Sequence, residues 1–231
     1  MIHTPAGTKP EHSPAYLEPA KFIDSNHPSI QAYAAKVIGT ETKPIGQAIM
    51  LFYAVRDGWR YDPFRVRLQP EEYVASKVLA MPSAWCVQKA ALLAALARVV
   101  GIPAAVGFSD VTNHLTTEKL KKRMGGSTLF VFHGYAVLYL EGKWVKAAPV
   151  FNIELCTRFG VLPTEFDGTQ DAVFQEYDAS HRRHMEYVRD HGMWSDFPYA
   201  TIERGMRDNY PASFFEPQPQ SERFEDGKKL N

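Results

Sequence analysis

The apolar positions change their period once along this chain, from helical to strand-like. From His27 to Val100 they recur every three to four residues. Pro28 opens a first helix carrying Ile30, Tyr33, Ala34 and Val37, and Gly39 closes it. A second runs from about Ile45 to Arg56, with Ile49, Phe52, Tyr53 and Arg56 on one side; Gly58 ends it before Trp59-Arg60-Tyr61 and the Asp62-Pro63 turn. A third covers about Pro70 to Leu79. The fourth, Val87 to Val100 after Ser83-Ala84-Trp85-Cys86, is apolar on almost every face, so it is expected to be buried on almost every face.

Beyond Gly101-Ile102-Pro103 the chain reads as sheet. Ala104 to Phe108 is a short strand, and a basic helical connection spans Thr116 to Arg123. Thr128 to Leu140 is a long strand rich in Phe, Val and Tyr, Glu141-Gly142 is a tight turn, and Lys143 to Phe151 is the return strand. Asn152 to Tyr210 reads as helix and loop, with a helix predicted around Ser180 to Asp190. Helices first and an antiparallel sheet after them predict an α+β fold. Residues 1–19 are expected to form an extended arm, 20–215 a single domain and 216–231 a loose tail, with the cysteine helix over 86–100, the sheet over 104–151 and a helical part over 152–210.

Composition narrows the function classes. Lys+Arg and Asp+Glu balance at 26 each, which removes the global field that would draw nucleic acid or an anionic membrane. No run approaches the roughly 18 apolar residues of a membrane span. Met1 to Pro19 has prolines and no apolar leader segment. With only two cysteines, Cys86 and Cys156, the expectation is reduced thiols in a cytoplasm.

Cys86 stands where a helix begins, and free backbone N–H groups there stabilise a thiolate, the reactive form. A cysteine serving only as packing would sit more naturally inside the Val87–Val100 run. His133 lies in mid-strand among Phe130, Val131, Phe132 and Tyr135, where a histidine needs its ring nitrogens satisfied. A thiol at a helix start and a downstream imidazole on a strand are the parts of a nucleophile and base pair, which requires about 3 Å between them.

The order of short segments around these residues resembles the transglutaminase-like cysteine enzymes. The pieces are Phe52-Tyr53-Ala54-Val55-Arg56-Asp57, Trp59-Arg60-Tyr61 and Trp85-Cys86. They continue with Leu92 to Arg98, Gly101-Ile102-Pro103-Ala104, His133-Gly134-Tyr135-Ala136 with Tyr139, and Gly142-Lys143-Trp144-Val145. The resemblance spans about Tyr16 to Asn152 and implies a papain-like fold with a Cys–His–Asp triad acting on amide carbonyls. One position departs from it. Ala148, in Trp144-Val145-Lys146-Ala147-Ala148-Pro149, stands where the family's aspartate belongs.

A two-residue turn at Glu141-Gly142 pairs Leu140 with Lys143, and counting back pairs His133 with Val150. Asn152 then becomes a diagonal neighbour of His133 on the same face, as Ala148 is, and is the expected orienter of the imidazole; its other role would be to cap a helix at Ile153. Asp167 is an alternative orienter or a turn residue. Trp59 and Tyr61 could contact substrate or an oxyanion, or fill core. His181, His184 and His191 lack a third ligand at a metal-site spacing, so no metal or other cofactor is expected. Cys156 reads as packing and Lys119 to Arg123 as a solvated helix face. The expected activity is hydrolysis or acyl transfer through a thioester at Cys86, on a peptide, protein or small amide. The competing expectation is a catalytically weakened relative that binds peptide or protein. Oligomeric state leaves no trace in the sequence.

Overall fold

The computed structural model describes residues 1–8, 13–114, 116–173, 185–216 and 224. The arm begins as a strand, β1 (His3–Thr4), which pairs with residues near the other end of the chain. α1 (Pro28–Ile38) starts on a proline and stops at Gly39, whose φ of 52° favours glycine. α2 (Pro44–Gly58) follows, and β2 (Arg60–Tyr61) leaves it. The expected third helix divides at Val74 into a 3-10 turn, Pro70–Tyr73, and α3 (Ala75–Leu79). β3 (Ser83–Ala84) pairs parallel with β2 and delivers the chain into α4 (Cys86–Val99).

α4 is buried along its length, from Cys86 to Arg98. α1, α2 and α3 pack on it from one side and β4 (Ala104–Asn113) and the strands beyond it from the other. That is why its pattern has no polar face. Its two buried cations are satisfied by carbonyls. Lys89 Nζ donates to the carbonyls of Arg56 and Val150, each at 2.8 Å, and the Arg98 guanidinium donates to those of Glu18, Ala104 and Ser195.

After β4, α5 (Glu118–Arg123) is capped by Thr117, and β5 (Leu129–Leu140) turns through Glu141-Gly142, both at positive φ, into β6 (Lys143–Ala147). α6 (Ile153–Phe159), β7 (Met185–Trp194) and α7 (Tyr199–Asn209) complete the described elements. The main sheet is antiparallel throughout, in the order β1-β7-β4-β5-β6. The chain is therefore α+β, with the helix that starts at Cys86 packed on an antiparallel sheet.

Two expectations fail here. The helix predicted around Ser180 to Asp190 is strand β7 where it is described. Its polar Arg189-Asp190-His191 stretch is held extended by pairing with β4, a non-local contact that local pattern does not encode. The return strand is shorter than predicted: the ladder runs from Leu140↔Lys143 to Ala136↔Ala147, and then Ala148 turns away to bond the Ala172 carbonyl at 2.8 Å. His133 consequently has no ladder partner in β6, and Val150 is not opposite it; on its other side it pairs with Ser109 of β4. Of the segment expected to be a loose tail, 217–223 and 225–231 lie outside the described residues; the ring of Phe224 packs against Tyr61, Phe64 and Phe159.

Candidate active site

Cys86 is the first residue of α4, and its sulfur meets the backbone amides of Cys86, Val87 and Gly134. The third of these decides the geometry, since Gly134 follows His133 directly on β5. Gly134 makes the approach of α4 to β5 possible. A Cβ there would stand 2.8 Å from Val87 Cα and 3.3 Å from Val87 N, closer than packed atoms allow. The glycine is thus required by a close backbone approach, and not by its own φ.

The strand that carries His133 is irregular. β5 bulges at Val131-Phe132, two residues that face the single residue Asp110 of β4, where the register shifts between Ser109 and Val111. Within this bulge Phe132 is held at φ 53°, a strained value for a bulky residue. Asp110 Oδ1 fixes the distortion by accepting from the Phe132 amide at 3.0 Å and from His191 Nε2 at 2.8 Å, and the His191 ring stacks on Phe132 at 4.3 Å. His191 thus serves the bulge that aims His133. His181 and His184 lie outside the described residues.

The surroundings of His133 are mostly apolar and aromatic. His133 lines a cavity of about 20 Å³, room for one water, together with Tyr61, Phe130, Phe151, Met185 and Phe224. Burial pushes the Cys86 thiol up to about 12, outweighing the three amides and Lys89, which pull it down. Burial likewise pushes the His133 imidazole down to about 3. The resting pair is therefore neutral, a protonated thiol and an unprotonated imidazole. This reverses the expectation that the helix start alone would hold a thiolate: desolvation exceeds what a few N–H dipoles supply. Burial raises the Tyr61 hydroxyl well above its usual value, and the charge that Cys86 would carry adds to this.

The other predicted site residues separate. Asn152 Oδ1 accepts from the Tyr61 amide at 3.1 Å, so its oxygen fixes β2 and is not bonded to His133. The register that placed it beside the imidazole fails because β6 ends at Ala147. Nor does its side chain cap α6; Asp57 Oδ1 does, accepting from Ile153 N at 2.9 Å. Asp167 is exposed and accepts from the amides of Thr169 and Gln170, as a turn residue does. Trp59 packs edge-on against Tyr33 in the core. Tyr61 faces the cavity and meets Phe151 at 4.9 Å. Cys156 is buried, and both cysteines are free thiols.

Lys89 escaped the sequence reading, although a lysine in an otherwise apolar run was its visible signal. Burial pushes its ammonium down to about 7. One turn below Cys86, it ties the end of α2 to the Val150 segment that leads to Asn152. Because the folded value lies below the ordinary 10.5, the unfolded chain binds more protons between pH 7 and 10.5, so stability rises with pH across that window. Both thiols oppose this only above 9, their ordinary value. Between pH 7 and 9 the protein is expected to gain up to about 2 kcal/mol in urea unfolding. Lys89→Met should flatten that slope.

Among the described residues no helix is long and apolar enough to cross a membrane, and no three His, Cys, Asp or Glu side chains gather as a metal site. No curated protein matches the chain. A crystal structure of a candidate cysteine protease from Cytophaga hutchinsonii resembles it with a TM-score of 0.45 and 15% identity, over 78% of this chain and 53% of that one. The chain thus spans about half the length of that relative. The model of the transglutaminase-like superfamily matches residues 31–149, more than half of the chain and the stretch that holds both Cys86 and His133. By that match the chain belongs to the transglutaminase-like superfamily.

Proposed function

We propose that this chain is a thiol enzyme that attacks an amide or peptide carbonyl through Cys86, with His133 as its base. The observation that carries the reading is the contact of the Cys86 sulfur with the amide of Gly134, the residue after His133. It supports the reading by setting the helix start that carries the thiol beside the strand residue next to His133, two rigid elements of the kind covalent catalysis uses.

Since both groups are neutral at rest, the thiol gives its proton to the imidazole as sulfur adds to the carbonyl carbon. The oxygen takes up the carbonyl electron pair, and in this reading the Cys86 backbone amide at the helix start is its donor. Collapse expels the amine, which takes the proton back from His133 and leaves a thioester on Cys86. Water then yields the acid, and a second amine yields the transferred amide. A peptide, protein or small amide is the substrate class, and the chemistry needs no cofactor.

A second reading, a peptide-binding relative without turnover, is favoured by Ala148 in the carboxylate's position and by the neutral resting pair. Alkylation separates the two. Under the enzyme reading, iodoacetamide modifies Cys86 at pH 7 about tenfold faster in the native chain than in His133→Ala, followed by mass spectrometry of the Cys86 peptide. Equal rates in the two folded proteins would leave the binding module as the better account.

A further inference from the structure

Phe224 stands in a polar, charged stretch, Ser221-Glu222-Arg223-Phe224-Glu225-Asp226, yet its ring is half-buried in an aromatic cleft. It stacks on Phe159 at 5.4 Å and meets Tyr61 and Phe64 edge-on at 5.8 and 5.7 Å. Those partners come from two separate parts of the chain, 61–64 and 159. Tyr61 lies within electrostatic reach of Cys86, and Phe224 is one wall of the small cavity that Tyr61 and His133 line.

The approach to this cleft is anchored. Arg123, at the end of α5, donates to the carbonyls of Phe214 and Glu216 at 2.6 and 3.1 Å and to that of Phe64 at 3.1 Å, and its guanidinium lies over the Phe64 ring. One side chain thus fastens the chain at Glu216 to a wall of the cleft that Phe224 enters eight residues later. Lys119 Nζ also lies over Phe64, at 5.1 Å, so that wall of the cleft is basic.

We propose that Phe224 is an internal occupant of an aromatic subsite of the Cys86–His133 site, and that the same subsite takes an aromatic side chain of a peptide substrate. The proposal rests on the catalytic reading above. A single tethered ring suits a displaceable occupant: the tether supplies an effective concentration of about a millimolar, which a free peptide can match. While Phe224 is in place it closes the cavity and keeps water from Cys86 and His133. With the ring displaced, water and substrate reach both groups, and the penalty that burial imposes on their charged forms falls.

The test compares the full chain with Phe224→Ala, reading iodoacetamide modification of Cys86 by mass spectrometry at pH 7. Modification is expected to quicken about tenfold in the variant. A synthetic peptide of residues 217–231 should restore the slow rate, and the same peptide with alanine at 224 should not. Binding of the fluorescently labelled peptide to a Phe224→Ala, Cys86→Ala chain should survive, because occupancy needs no chemistry. If that binding holds while alkylation ignores His133→Ala, the catalytic pairing fails and the subsite stands. If a folded Phe224→Ala chain reacts at the native rate, or the alanine peptide competes equally well, the subsite proposal is overturned. Should Phe224→Ala fail to fold, Phe224→Leu keeps the apolar bulk and loses the ring geometry; native-rate alkylation there is equally fatal.

Discussion

Cys86→Ala and His133→Ala are each expected to lower kcat by about four orders of magnitude, and the double variant no further, because nucleophile and base act as one unit. The probe need not be the natural substrate. An activated ester such as p-nitrophenyl acetate acylates a competent thiol and releases one p-nitrophenolate per enzyme before slower turnover. The native chain should give this burst; Cys86→Ala should give none. Neither change should cost much stability. The thiol is small, and replacing the imidazole removes a group that burial already holds far below its ordinary value. By the same linkage His133 favours the folded state less as pH falls from 6.5 towards 3, and His133→Ala should soften the acid-side loss. A burst that survives in Cys86→Ala would remove the thioester from the mechanism.

The second large effect is expected at Gly134, which touches no substrate. Gly134→Ala places a methyl 2.8 Å from Val87 Cα, and backbone at the start of a helix buried on all sides has nowhere to yield. Overpacking of this kind costs about 1–3 kcal/mol. The functional effect should exceed the structural one. α4 must shift away from β5, and a displacement of about 1 Å between nucleophile and base lowers the rate about a hundredfold. Gly107→Ala is the control, since its added Cβ meets the Tyr135 ring and not the backbone of α4. It should destabilise the protein in urea while leaving the acyl-enzyme burst largely intact. Equal bursts in native and Gly134→Ala chains would show that the Gly134 contact does not set the catalytic distance.

Much of the fold was written in local pattern. The helices starting at Pro28, Pro44 and Cys86 and the turn at Glu141-Gly142 follow from proline and glycine placement and from apolar period, which act within a few residues. The same local signals nominated Cys86 and His133, a thiol at a helix start and an imidazole in a strand. What they could not supply was anything decided by where distant segments meet. Strand β7 exists because β4 pairs with it; β6 stops at Ala147 because Ala148 finds Ala172; and that early stop gives Asn152 to Tyr61 instead of His133. Burial is a property of the assembled core. No local signal could show that desolvation would keep Cys86 protonated and pull the Lys89 ammonium down to about 7, or that Phe224 would lie against Tyr61. Propensity acts along the chain and names the parts, whereas the dielectric around a group and the partner across a sheet are set only by tertiary packing.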